Sequence, residues 1–253
     1  MDRSFRVVAC LACVAMLLGI AAAGYGQDTY TVKRTFKAGE VDRYKTNIQI
    51  ESDAGMKVEI VFETTEKTVE MKADGAMVRS ITVDRAEMLL NGQTMAMPGF
   101  QPATITSTFD KDGKPVKEEG QAGQFRQFLS MTRPTSEAQK PLKVGEDWKT
   151  EVPTNKDGTK KLDVTVTLVG LEPKSDSLAA ESYKIKTVAD GVVEGQDGDQ
   201  KIRVESTSFV RRDNGAPLRI EGTVTGIKAA PLGAAEVSFK VVRQPDKPTA
   251  ELR

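Results

Sequence analysis

Histidine, the side chain that most often acts as a general acid or base, is missing from this chain, and cysteine is rare. Its 253 residues include no His, and its two Cys, Cys10 and Cys13, both lie near the start. Without His, neither a Ser-His-Asp nor a Cys-His site can form, and histidine-ligated zinc, copper or iron is excluded as well. If the first residues are removed, the chain also loses both thiols, so neither a disulfide nor a thiol-ligated metal is expected. We therefore predict a protein that is not an enzyme and uses no cofactor and no metal.

Carboxylates remain available for acid–base chemistry, and the chain has 36 Asp and Glu residues. Their spacing selects no acid and base, because a hydrolytic pair is defined by its geometry in space. Asp110, Asp112 and Gly113 resemble the start of a calcium loop, but Gln121 stands where the twelfth-position Glu should be. The acidic segment 191–199 contains three Gly and is interpreted as a flexible loop. A carboxylate-based hydrolase is therefore only a third alternative for the function.

A segment rich in Met is the most unusual local feature of the sequence. Thioether side chains are soft and adaptable, so they suit a surface that accepts varied apolar ligands. The candidate ligand-binding residues are Met88, Leu90, Met95, Met97 and Phe100. One alternative is a hairpin and loop that simply cover the core, because Met often fills gaps in packing. Another is a Cu(I) site at the three Met residues, although no His or Cys is present to assist it.

The first 26 residues have the three-part pattern of an export signal. Arg3 and Arg6 precede an uncharged apolar run at 7–23, which small residues follow. The run is slightly shorter than the roughly 20 residues that a spanning helix needs. We expect residues 1–26 to be removed on export to the periplasm or the medium, which leaves no membrane span. A retained anchor and lipidation at one of the two Cys residues are the alternatives.

The rest of the chain is dominated by alternation of apolar and polar residues. Alternation with a period of two places one face of a strand in the core and the other in water, as in antiparallel sheets. Turn-forming pairs such as Ala-Gly, Asp-Gly and Asn-Gly separate the alternating runs. The clearest runs are 44–50, 56–62, 162–168, 218–224 and 237–241. The predicted turns are at 54–55, 74–75, 91–92, 112–113, 190–191 and 214–215.

These patterns predict a mainly β fold with an antiparallel, strongly curved sheet or half-barrel. The apolar positions change from even to odd between Phe62 and Val69, which predicts a bulge near positions 64–65. Long strands with such a bulge suit a sheet that bends sharply. One short helix is predicted from Gln121 to Arg133, where apolar residues share a stripe and Pro134 follows. We expect this helix to pack against the sheet.

The domain organisation predicted for the mature chain is one β-rich domain at 27–244 and a flexible tail at 245–253. Two phrases occur in the same order in both halves, which suggests two similar β units at 30–122 and 136–228. The alternative is that these phrases are common strand-entry and hairpin sequences with no shared ancestry. Both interpretations predict strands at matching places.

Short phrases in the sequence resemble a known group of proteins. Leu142 to Trp148 reads Leu-Lys-Val-Gly-Glu-Asp-Trp, and 37–40 reads Lys-Ala-Gly-Glu. Together with the leader, they resemble uncharacterised secreted bacterial proteins that carry a Gly-acidic-x-Trp phrase before a strand. This resemblance implies export and a β-rich fold, and it assigns no particular activity. A curved sheet with one helix against it is also similar in architecture to lipoprotein carriers of the LolA and LolB type, although architecture does not determine function.

The function predicted from the sequence is that of a non-enzymatic binding or carrier protein for an apolar or amphipathic ligand. The formal net charge is zero, so nucleic acid is not an expected partner. Trp148 is the sole Trp, and we interpret it as a core aromatic at a strand start rather than a platform for a sugar. The alternative function is an envelope protein with a filled core that works through protein contacts. The sequence leaves the oligomeric state open.

Overall fold

The computed structural model of the chain describes most of the sequence after residue 27. The described residues are 28–53, 55–96, 101–111, 115–120, 141–154, 159–195, 198–229 and 233–245. Their regular structure consists of β-strands. Within these ranges there is no helix whose length and apolar character would allow it to cross a bilayer.

The strands differ greatly in length. They are β1 (Thr29–Tyr30), β2 (Val41–Ser52), β3 (Lys57–Met71), β4 (Met77–Leu90), β5 (Gln93–Ala96), β6 (Ala103–Phe109), β7 (Pro115–Gly120), β8 (Leu142–Lys143), β9 (Asp147–Pro153), β10 (Lys161–Glu172), β11 (Ser182–Gly195), β12 (Gly198–Arg211), β13 (Pro217–Ala229) and β14 (Gly233–Arg243).

Twelve of the strands form one antiparallel sheet. Its order is β7-β6-β4-β3-β2-β14-β13-β12-β11-β10-β9, with β5 paired to the far end of β4. The last strand, β14, pairs with β2 in the middle, so the two halves of the chain extend outward from that seam. The order ends at β7 and β9, so the sheet is open, and the strong curvature that we predicted is not confirmed. The antiparallel, mainly β fold is confirmed.

The predicted alternation determines which side chains the sheet buries. Ile48, Val166 and Phe239 are examples of alternating residues that are buried, while their neighbours in sequence lie on the opposite face. We call these two sides the buried face and the outer face. Most of the buried side chains, from both halves of the sheet, form one continuous cluster, and a small separate cluster contains Leu178, Phe209 and Leu218. The large cluster accounts for the regular register across the β2–β14 seam, because slipping by one residue would expose a whole strand.

The predicted change of phase in β3 is wrong in its position. Even-numbered residues stay buried through Thr64, Glu66 and Thr68, and the irregularity comes only after them, at Val69. Val69 is therefore 49% exposed rather than part of the core. A second irregularity does lie beside residue 64, but the extra residue is Asp84 of the partner strand β4. The sequence pattern failed here because polar residues occupy the inward positions.

Two other local predictions are also wrong. Asp190 and Gly191 were predicted as a turn, yet they lie within β11 and pair with β10. The segment 191–199 was predicted as an acidic loop, but most of it extends β11 and β12. Glycine at position 191 instead allows β11 to approach β10 closely, because a Cβ there would lie 2.1 Å from the Lys161 carbonyl oxygen. The predicted helix, Gln121 to Arg133, lies outside the described residues, as do the leader 1–26 and all but the first residue of the predicted tail.

The segment 29–40, which we call the strap, crosses one end of the sheet. It begins with β1, which pairs with β8, and the Tyr30 ring lies edge-on to the Tyr183 ring with 5.8 Å between centroids. Farther along, the Thr35 N–H donates a 2.8 Å hydrogen bond to the carbonyl oxygen of Asn214. The strap ends where the Gly39 N–H donates to the carbonyl oxygen of Thr68. It therefore links strands from both halves of the sheet.

Candidate functional site

One row of residues crosses the buried face from the edge strand β9 to β5, one from each of ten strands, and we call it the central rung. Its members are directly paired across neighbouring strands. They are Trp148, Val166, Thr187, Ser206, Gly222, Phe239, Ile48, Ile60, Met88 and Met95. The row begins at Trp148 and ends at Met95 in the Met-rich segment. The sheet therefore places the sole Trp and the Met-rich segment in one row, although they are far apart in sequence.

The middle of the central rung is unexpectedly polar. Thr187 and Ser206 are cross-strand partners, and Ser208 follows two residues later on the same face. Their exposed fractions are 0%, 4% and 0%, and their hydroxyl oxygens have no hydrogen-bond partner among the residues that the structure describes. We call these three residues the hydroxyl belt. A buried hydroxyl without a partner is costly, so three of them side by side need an explanation.

Beside the belt, Gly222 has no side chain and the ring of Phe239 fills the space. A Cβ on Gly222 would lie 2.9 Å from Cζ of Phe239 and 2.8 Å from Cβ of Ser206. Both distances are shorter than ordinary packing allows, so only glycine fits here without displacing its neighbours. The belt is therefore bordered by an aromatic ring on one side.

The end of the sheet opposite the strap is apolar and only partly buried, and we call it the rim. Its members pack against the core while keeping some exposure to solvent. They are Ile50, Val58, Val152, Leu162, Val193 and Ile227. These side chains come from six different strands, so apolar surface remains accessible along most of this end.

The structure brings part of the predicted Met-rich site to one corner of the rim. Met88 and Met95 are cross-strand partners, and Leu90 pairs with Val58 of the rim. Met95 is 43% exposed, whereas Met88 and Leu90 are half-buried. The other two predicted residues, Met97 and Phe100, lie outside the described residues. The Cu(I) alternative, which required Met97, is therefore not tested.

The strap end is closed by charged side chains that the sequence analysis did not identify. The Arg34 guanidinium donates to Asp42 at 2.7 Å and lies 3.1 Å from Glu40. The other oxygen of Asp42 accepts a 3.0 Å hydrogen bond from Arg243. Asp42 and the side chain of Arg34 are almost fully buried. The carboxylate thus receives one guanidinium on each oxygen, which is the arrangement that compensates for burying its charge.

A second ion pair and an aromatic ring complete this closure. The Arg79 guanidinium donates to Glu66 at 2.6 Å, and the guanidinium groups of Arg34 and Arg79 both lie over the ring of Phe36 in the strap. The two guanidinium carbons are 4.5 and 4.4 Å from the ring centroid. These two contacts add cation–π attraction to the ion pairs. The carboxylates of this end are held by arginines and are not free to act as an acid and base.

The outer face carries a shallow depression of about 330 Å³ around Gly222, bordered by Lys186, Glu205 and Glu221. A hydrogen bond from Arg203 holds the pKa of Glu205 below its usual value. Glu205 is therefore ionised at neutral pH and does not have the raised pKa that a general acid needs. Among the described residues, no group of three or more His, Cys, Asp or Glu side chains converges on a metal-sized space.

Comparison with known proteins identifies no family for this chain. No protein-family model matches it, and no curated protein matches it. A crystal structure of a LolA superfamily protein from Nitrosomonas europaea is similar at 8% sequence identity, with 88% of this chain and 89% of that chain covered and a TM-score of 0.18. A TM-score this low supports no conclusion about shared fold or function.

Proposed function

We propose that the protein is an exported, non-enzymatic carrier that holds an apolar or amphipathic ligand on the buried face of its sheet. The observation that carries this proposal is the difference between the two ends of that face. Ion pairs and the strap close one end, while the other presents half-buried apolar side chains from six strands. Of these two ends, as the described residues form them, the rim is the one where an apolar ligand can enter without breaking buried ion pairs.

The Met-rich corner is proposed as the part of the rim that first contacts the ligand. This corner consists of Met88, Leu90 and Met95. Met95 is the most exposed of the three, and Met88 connects it to the core through Ile60. Flexible thioethers allow such a corner to adapt to ligands of different shape. In this proposal the sheet bends around the ligand, which is possible because its order of described strands ends at β7 and β9 without closing into a barrel.

Native mass spectrometry of the protein purified from its own envelope tests this function. We expect a bound mass of lipid size, and a chain mass that lacks residues 1–26. Met95→Asp should remove the bound mass, because a charge at the rim is incompatible with an apolar ligand. Met71→Asp is the matched control, since Met71 is 37% exposed near the strap end of β3 and should retain the ligand.

A specific observation favours the second candidate, an envelope protein that works through protein contacts. Much of the buried face is already filled, because Phe62, Leu168 and Ile185 are almost completely buried. Ligand-free protein from the native envelope, with Met95→Asp indistinguishable from the unmodified chain, would support this candidate and overturn the carrier proposal.

A further inference from the structure

The hydroxyl belt of Thr187, Ser206 and Ser208 is the feature of the buried face that packing does not explain. Thr187 and Ser206 face each other across β11 and β12, and Ser208 extends the group toward the strap end. None of the three hydroxyl oxygens has a partner within the described residues. A chain that needed only a filled core would place Val or Ala at these positions, because removing both members of a potential hydrogen bond costs little.

The surroundings of the belt restrict what could pair with it. The next rung toward the strap consists of Leu168, Ile185, Ser208, Ile220, Val241, Thr46, Phe62 and Ala86. No member of this rung or of the central rung is charged. Arg243, two residues beyond Val241, is occupied by Asp42. An ionised group at the belt would therefore find no counter-charge among the described residues of these two rungs, whereas a neutral acceptor would need none.

We infer that the belt binds an uncharged carbonyl group, as in an ester or amide, within an otherwise apolar ligand. This inference rests on the proposed carrier function and names the ligand class. Each hydroxyl can donate one hydrogen bond, and a carbonyl oxygen can accept two. The belt thus sets the depth of the ligand, and Phe239 beside it packs against the apolar part.

The distance from the belt to the rim fits the apolar part of such a ligand. Along β12, Ser206 is four residues from Ile202, which lies at the level of Leu162 in the rim. At about 3.3 Å per residue, this separation is roughly 13 Å. The hydrocarbon layer contributed by one leaflet of a bilayer is about 15 Å, half of the usual 30 Å. A membrane-type acyl chain therefore reaches from a carbonyl at the belt to the rim.

The fluorescence of Trp148 provides a direct assay, because it is the sole Trp and lies on the central rung. The full chain is titrated with methyl laurate, laurate and dodecane, which share an apolar chain and differ in the polar group. We expect methyl laurate to bind about tenfold more tightly than dodecane, as one or two buried hydrogen bonds would give. Laurate should bind more weakly than its methyl ester at neutral pH.

Variants then test whether the belt causes this preference. Thr187→Val combined with Ser206→Ala should bring methyl laurate and dodecane to within about twofold of each other. Thr207→Val is the control, because Thr207 follows Ser206 on the outer face, and it should keep the preference. Equal binding of ester and hydrocarbon by the unmodified chain, tighter binding of laurate, or a preference that survives the double variant would overturn the inference alone. Failure of all three probes to bind would overturn the carrier function as well.

Discussion

Replacing Thr187 by Val should make the ligand-free protein more stable. Thr187 is 0% exposed and its hydroxyl oxygen has no partner in the described part of the chain, so folding there removes that group from water without returning a hydrogen bond. Such a loss costs about 1–3 kcal/mol. Valine has nearly the same shape and suits a strand equally well. We therefore expect Thr187→Val to raise the free energy of unfolding by about 1–2 kcal/mol, a recovery of most of that cost.

Chemical denaturation and thermal unfolding measure this change. For a domain of this size, about 1–2 kcal/mol corresponds to a Tm increase of about 2–8 °C, and the denaturation midpoint should rise at constant m-value. Thr207→Val on the outer face controls for the intrinsic preference of Val for strands and should change stability by less than about 0.5 kcal/mol. The reasoning is refuted if Thr187→Val lowers stability, because the hydroxyl would then have a hydrogen-bond partner in the folded chain.

Two further substitutions test the strap end and the close packing beside the belt. Arg34→Met should lower the free energy of unfolding by about 3–5 kcal/mol, because it leaves a buried carboxylate with half of its charge compensation. The exposed pair of Lys57 and Glu51 is the control, and Glu51→Gln should cost less than about 1 kcal/mol by the same denaturation assay. Gly222→Ala should lower the free energy of unfolding by about 1–3 kcal/mol through overpacking. Gly170→Ala is its control and should not be destabilising, because nothing lies within 4 Å of the added Cβ. Equal effects at both glycines would contradict the packing argument.

The sequence pattern was sufficient to predict the sheet because the alternation within each strand shows which of its side chains are buried. Ile48, Val166 and Phe239 are buried as the alternation predicted, and Asn214-Gly215 forms the predicted turn, which the Gly215 N–H closes by donating to the carbonyl oxygen of Arg211. The same reasoning failed where a buried residue is polar. Glu66 lies inward because Arg79 of the neighbouring strand donates to it, and no periodicity within one strand can report a partner in another.

The ion pairs of the strap end were beyond prediction for the same reason. Asp42 is compensated by Arg34, eight positions away, and by Arg243, 201 positions away. In a sequence these are three ordinary charged residues among many. The β2–β14 pairing brings Asp42 and Arg243 together, and the strap adds Arg34. The hydroxyl belt is similar, because isolated Ser and Thr residues in strands are common and gain meaning only when register aligns them. The Met-rich segment was easier to find, since its residues are close in sequence.

The two ends of the buried face differ in how easily they can open. At the strap end, a carboxylate with a guanidinium on each oxygen resists opening, because separating the pairs would leave a charge without its partner in a surrounding of low dielectric constant. At the rim, only apolar contacts have to separate, and a ligand that replaces them restores the lost contacts. We therefore expect the sheet to open reversibly at the rim, while the strap holds the other end closed. If hydrogen exchange found the amides of β2 beside Asp42 opening more readily than those beside Ile50, the direction of ligand entry argued here would be reversed.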